Sequence, residues 1–348
     1  MEQSFKNVFI SGLGVEQPER IVTSAYIEDR LDSVYQRLNL PKGRLEMMTG
    51  IKQRRWGRVG LKPSDLSIAA GKKAILASGI DPQKIGSVIH ASVCRDFLEP
   101  ATAAVVHRAL KLSSQCQIFD LSNACLGWIN GILMTANMIE LGQIEAGIVV
   151  SGEDGRALVE STIESLKSDL KLTRKSLKPA FASLTIGSGG VAIVLTNKDN
   201  SRSNHKLIAA ATENASQFND LCQGGVNSCE DTQTSVNMQT NSEAMLHEGV
   251  ALAAKTWRTA RNLLNWSPGE VSHIFTHQVG LAHQRLMFEK LELDLSKDHP
   301  TLAELGNMGS ASIGTGLALH ADKIRAGENI LLMGIGSGLV CSMLGARW

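Results

Sequence analysis

Residues 117–151 read QIFDLSNACLGWINGILMTANMIELGQIEAGIVVS, and this stretch carries the strongest fold signal in the chain. Gln117 to Leu121 has strand character, Cys125 follows, and Leu126 to Leu141 has the length of a helix with a single charge, Glu140, near its end. A helix that is apolar all round belongs at the centre of a sizeable protein rather than on its surface. Gly142 stands where a C-cap glycine would, and it turns the chain into Ala146 to Ser151. That run is apolar throughout instead of alternating, as a strand buried on both faces requires. Cys125 is therefore expected deep inside, at the N-terminal end of a central helix.

Working outward, the same order appears twice. Upstream lie a helix pattern from Asp65 to Ser78 and a strand pattern, Val88–Ile89, leading into His90 and Ala91. Downstream come a helix from Ala244 to Leu264, a turn at Pro268–Gly269 and a strand, Ile274–Phe275, that ends at His277. Gly306-Asn307-Met308-Gly309, a small-residue helix from Ser310 to Arg325, Gly327 and a strand from Ile330 to Gly334 complete the second set. Cys125 precedes Gly142 by 17 residues, and Ser310 precedes Gly327 by 17. The period is too long for a solenoid. Two similar halves of alternating helices and strands, 1–197 and 198–348, imply a duplicated, layered α/β fold. The charged, amphipathic stretch of about 156–178 reads as a solvated helical insertion, a lid or a dimer flank. Residues 197–205 read as a polar seam between the halves, and Asn214 to Asn241 as an irregular region.

Composition narrows the class. The 348 residues are 43% hydrophobic and 20% charged with a net charge of +1, which gives no electrostatic case for nucleic acid or an anionic membrane. No run reaches the roughly 18 apolar residues of a membrane span, and the N-terminus lacks a signal-peptide pattern. The six cysteines form no compact framework, and Cys94, Cys116, Cys125 and Cys341 sit in apolar surroundings, as reduced thiols of a cytoplasmic protein do.

Several residues carry two readings. Cys125 is either a small buried hydrophobe, the commonest fate of a free cysteine, or a nucleophile whose thiolate is favoured by the helix N-terminus. His277 is either a satisfied core histidine or a catalyst. A metal pair with His273 is disfavoured, because residues four apart in a strand lie about 13 Å from each other and no partner cysteines are well spaced. Asn307 is either part of a tight turn or an amide donor delivered by that turn. The run from Gly334 to Gly338 lacks the last glycine of a dinucleotide fingerprint and the chain that would have to follow it. Such a strand end instead suits close backbone approach and an exposed N–H of the kind an oxyanion hole needs. Gly187 to Gly190 reads as the closely packed start of another strand.

At Asn123-Ala124-Cys125-Leu126-Gly127, Thr276-His277-Gln278, Gly306-Asn307-Met308-Gly309 and the closing glycine turn, the chain resembles the thiolase superfamily, and within it ketoacyl-ACP synthase III. The resemblance spans nearly the whole chain. It implies a five-layer α-β-α-β-α thiolase fold, a homodimer, a Cys125–His277–Asn307 triad, and an oxyanion hole from the backbone N–H groups of Cys125 and Ser337. Thr49-Gly50-Ile51, the stretch from Ser92 to Pro100, and the stretch from Gly336 to Met343 resemble one branch more closely. That branch is the long-chain acyl-CoA condensing thiolase of bacterial olefin synthesis, which joins two fatty acyl-CoAs head to head without decarboxylation.

Glu99 is the informative position within this resemblance, since ordinary synthase III enzymes usually carry an apolar residue there. Decarboxylation generates a carbanion by losing CO₂, whereas a non-decarboxylating condensation must remove an α-proton. A carboxylate of raised pKa in an apolar tunnel supplies the base; on its own, Glu99 reads equally as an exposed loop residue before Pro100. The expected course is ping-pong: Cys125 takes the first acyl group, then Glu99 of the partner subunit deprotonates a second acyl-CoA while His277 and Asn307 hold its thioester oxygen. Phe97, Leu98, Trp128 and Met134 are candidate channel linings or core. Arg54, Arg55 and Trp56, in a basic run, are candidate CoA contacts or a solvated strand edge. No metal or redox cofactor is expected; the partners expected are acyl-CoA or acyl-ACP. The alternatives are a decarboxylating synthase III using malonyl-ACP, a non-catalytic subunit of a condensing heterodimer, and a hydroxymethylglutaryl-type synthase, whose surrounding motifs match poorly.

Overall fold

The computed structural model describes residues 1–227 and 235–348. Its strands are β1 (Glu2–Ser4), β2 (Phe9–Glu16), β3 (Arg20–Thr23), β4 (Gln53–Trp56), β5 (Ile85–Ala91), β6 (Gln117–Leu121), β7 (Ala146–Glu153), β8 (Gly189–Thr196), β9 (Lys206–Asn214), β10 (Cys222–Asn227), β11 (Ser235–Thr240), β12 (His273–Thr276), β13 (Asn329–Gly336) and β14 (Val340–Arg347). Nine of them follow one path, β12-β13-β14-β9-β2-β8-β7-β5-β6, and β1 pairs with β9 off that path.

The path divides into two copies of one pattern. β2–β8 and β8–β7 are antiparallel and β7–β5 is parallel. β9–β14 and β14–β13 are antiparallel and β13–β12 is parallel. Between the copies, β2 and β9 share the single pair Phe9 and Lys206.

The apolar strands owe their composition to this layering. In β7, Val149 faces one hydrophobic cluster while Ile148 and Val150 face another. In β13, Ile330 and Leu332 face the first, while Leu331 and Met333 face a third. The shared cluster holds Ile129 and Ile132 of the helix Gly127–Glu140 and Ile313 and Leu317 of the helix Ser312–His320. These two helices thus lie between the sheets. The helix Pro63–Ser78 packs Ala70 and Ala74 outside one sheet, and Ser242–Leu264 packs Ala253 and Trp257 outside the other. The result is α-β-α-β-α layering. Fully burying each large aliphatic side chain contributes roughly 1.5–3 kcal/mol, so a strand serving two layers is mostly apolar along its length.

Three expectations change. The helix read as Ser310 to Arg325 runs only from Ser312 to His320, where the His320 ring meets the Gly316 carbonyl at 2.9 Å and the chain tightens into a 3₁₀ turn, Ala321–Lys323. The insertion is not merely solvated. Val159, Ile163, Leu166 and Leu177 join Val22, Ile27, Leu45 and Trp56 in a core of their own. The stretch read as irregular holds the antiparallel hairpin β10–β11, and its residues 228–234 lie outside the described residues. Among the described residues, no helix is long and apolar enough to cross a membrane.

Candidate active site

Cys125 occupies a short 3₁₀ turn, Ala124–Leu126, between β6 and the central helix Gly127–Glu140. Ala124 takes φ 46°, a left-handed conformation that costs a residue with a Cβ roughly 1–2 kcal/mol. Such strain persists only where surrounding structure over-determines it. Here β13 supplies that constraint: Gly334 lies so close that a Cβ on it would overlap Leu126 Cδ2. The end of β13 then carries the Ser337 amide to the cysteine, and the N–H groups of Cys125 and Ser337 both converge on Sγ.

Those two donors pull the thiol pKa down, but burial, followed by Cys222 and Glu153, pushes it up to about 12. The expectation that the helix N-terminus favours a resting thiolate is therefore corrected, because desolvation outweighs the dipole at this depth. Cys125 rests as a thiol. Although protein surrounds it, the residue keeps partial accessibility, as an internal opening would allow.

His277 follows β12, with its N–H bonded to the Met333 carbonyl of β13 at 2.9 Å. The ring is buried, and neither nitrogen has a hydrogen-bond partner among the described residues. Burial, with His283 adding to it, lowers its pKa to about 4, so the imidazole is neutral. Asn307 is fixed by its backbone, donating to Thr185 O and accepting from Gly187 N, each at 2.9 Å. Its Oδ1 accepts from Gly309 N at 2.9 Å, which commits the carbonyl and turns the NH₂ group away as the remaining donor. Three residues on, Ser310 Oγ accepts from Trp128 N at 2.8 Å and donates to Ala91 O at 2.7 Å. Through β13 and Ser310, the segments of His277 and Asn307 are tied to the Cys125 helix.

The single chain does not bring Glu99 to this point. Glu99 is exposed on the loop after β5, whose base is fastened by Asp96 to Ser64 N at 2.9 Å and Ser64 Oγ at 2.6 Å. Beside it Leu98 is 98% exposed and Phe97 42% exposed. Trp128 belongs to the core and Met134 is exposed on the far side of the helix. The expected CoA contacts are corrected in part. Arg54 and Trp56 are 0% exposed, and Arg54 spends its guanidinium on Leu184 O and Ser24 Oγ. In the β3–β4 ribbon alternate residues point inward, and only Arg55 of the three stays partly accessible, with Nη1 on Glu19 O at 3.1 Å.

Sequence reasoning passed over three neighbours. Cys222 of β10 accepts from Ser337 Oγ at 3.2 Å, Ser310 ties two elements, and Glu153 is a buried carboxyl at the end of β7. Glu153 alone left a signal: it is the one charge in an otherwise apolar strand.

Comparison with known proteins shows what the chain is similar to along its length. Residues 46–183 match the thiolase N-terminal domain and residues 262–348 the 3-oxoacyl-ACP synthase III C-terminal domain. An acyl-CoA:acyl-CoA alkyltransferase of Shewanella oneidensis is 40% identical, with 99% of each chain covered. A crystal structure of a Xanthomonas campestris OleA cysteine-to-serine variant with bound lauric acid and lauroyl-CoA superposes with a TM-score of 0.93 at 34% identity, covering 99% of this chain and 100% of that one. A structure described as 3-oxoacyl-ACP synthase III, FabH, from Xanthomonas oryzae is equally similar, with a TM-score of 0.93, 34% identity, and 99% of this chain and 100% of that one covered.

Proposed function

The chain belongs to the acyl-CoA:acyl-CoA alkyltransferase family of thiolase-fold condensing enzymes, and from that premise we propose that it joins two fatty acyl-CoAs head to head into a β-ketoacyl-CoA. The observation that carries this reading is the pair of backbone N–H groups converging on Cys125 Sγ, with a neutral His277 tied to the same strand β13 and without a ring hydrogen-bond partner among the described residues.

The thiol of Cys125 gives its proton to His277 and attacks the first thioester. The oxyanion is held by the Cys125 and Ser337 amides, donors that need no reorganisation as charge develops. The C–S bond to CoA breaks, and the leaving thiolate takes the proton from His277. Glu99, supplied by a second copy of the chain, removes the α-proton of the second acyl-CoA. His277 and the Asn307 NH₂ donate to the enolate oxygen. The carbanion attacks the acyl-Cys125 carbonyl, Cys125 leaves as thiolate, and it recovers a proton from Glu99. Two acyl-CoAs thus yield one β-ketoacyl-CoA and one free CoA.

In this reading the working unit is a homodimer in the cytoplasm, its partners are acyl-CoA or acyl-carrier-protein thioesters, and no metal or redox cofactor takes part. The exposed Phe97-Leu98-Glu99 tip supports a second copy as the acceptor of the loop. The test is to incubate the protein with a long-chain acyl-CoA alone and follow free CoA and product mass. Sustained CoA release with a β-keto product, lost in both Cys125→Ala and Glu99→Ala, is the expected result. A single stoichiometric burst that resumes only with malonyl-ACP would return the chain to the decarboxylating synthases.

A further inference from the structure

Glu153 ends β7, is 3% exposed, and pairs with no cation among the described residues. Its Oε1 accepts from Val93 N at 2.9 Å and Ser310 N at 3.3 Å, and its Oε2 from Cys94 N at 3.0 Å. Val93 and Cys94 begin the loop that carries Glu99, and Ser310 closes the turn that carries Asn307. Ser310 in turn binds Trp128 N at the head of the Cys125 helix. Gly309 takes φ 51° against the same carboxyl, where an added Cβ would stand 3.3 Å from Oε1. One side chain therefore touches or adjoins the segments of Glu99, Asn307 and Cys125, three of those on which the proposed chemistry depends.

We propose that Glu153 is a positioning residue: its carboxylate, accepting from Val93 N and Cys94 N on one side and Ser310 N on the other, sets the Glu99 loop and the Asn307 turn in register with Cys125. A buried carboxylate costs several kcal/mol of desolvation, and three backbone donors with no cation only partly offset this. All three partners are N–H donors divided between the two oxygens, so the ties need two acceptors, and a glutamine would set its NH₂ against a backbone N–H. The titratable groups facing Glu153 are the Cys94 and Cys125 thiols, and Cys222 faces Cys125 from the hairpin. Burial raises the Glu153 pKa to about 7, which leaves the charge substantially present at neutral pH.

The kinetic half of the test rests on the condensing reading; the chemical half does not. Iodoacetamide labelling of Cys125, read by peptide mass, is measured against pH alongside CoA release in Glu153→Gln and Glu153→Asp. Glu153→Gln, which keeps one acceptor oxygen and sets an NH₂ against a backbone amide, is expected to label about tenfold faster as the Ser310 turn loosens at the head of the Cys125 helix. It is also expected to lose at least about tenfold in kcat with little change in KM. Glu153→Asp keeps both acceptors with a shorter reach, so its labelling changes less while kcat falls. Unchanged labelling in Glu153→Gln, or a wild-type kcat in either variant, overturns the proposal. If circular dichroism shows Glu153→Gln unfolded, Glu153→Asp decides: a wild-type kcat refutes positioning. A wild-type enzyme that condenses nothing would defeat the proposed function, while labelling would still report on Glu153.

Discussion

In the proposed reaction, the neutral imidazole at position 277 sets the acid limit. Burial holds it near 4, so the acylation half-reaction is expected to persist on acidification well below the pH of about 6.5 at which an ordinary histidine would gain its proton. A pH profile of CoA burst amplitude and rate reads this directly, and a midpoint near 6.5 would contradict it. The same burial affects stability. The unfolded chain binds the His277 proton from about pH 6.5 downward and the native state only near 4, so stability falls as pH drops through that window. His90, also held at about 4 by burial, acts in the same direction. Glu153 and Asp298, raised to about 7 and about 6, act oppositely, because the native state takes their protons first. His90→Gln should therefore lose less Tm than wild type between pH 6.5 and 4, a difference scanning calorimetry resolves.

Among the elements, β13 does most to shape the site, since it holds the His277 backbone, presses on Leu126 and delivers the Ser337 amide. Gly334→Val must displace Leu126. Overpacking of this kind costs about 1–3 kcal/mol, so urea midpoints should fall and Cys125 labelling should change with them. Ser310→Ala, which strands the buried Trp128 N–H, should cost about 1–3 kcal/mol in the same measurement. The strands of the central sheets were legible in sequence because two-sided burial leaves runs without alternation: β7, read as Ala146 to Ser151, begins at Ala146 and is buried throughout. The end of the helix at His320 was not legible, for the bond between its ring and Gly316 is a matter of rotamer. Glu153 stayed hidden for another reason: its donors lie 60 residues before it at Val93 and 157 after it at Ser310. No local pattern records such distant partners. Arg54 and Trp56 were misplaced because a charge run was read as a surface, although the two-residue period of a ribbon buries both.

For the whole molecule, the layering followed from the repeat because each half encodes the same succession of buried helix and two-faced strand. What one chain lacks is cover for the tip formed by Phe97, Leu98 and Glu99. L98K should weaken self-association, seen as a shift toward monomer in sedimentation velocity, with CoA release falling in parallel. If mass and activity both stay unchanged, the tip is not the dimer contact.

In the proposed dimer, that projecting tip also makes each catalytic unit a composite of two copies of the chain. A Cys125→Ala chain still offers its Glu99, and a Glu99→Ala chain still offers its Cys125. Co-expressed in equal amounts, two inactive alleles would complement one another: half the dimers would be mixed, each with one of its two sites intact, and about one quarter of wild-type turnover would return.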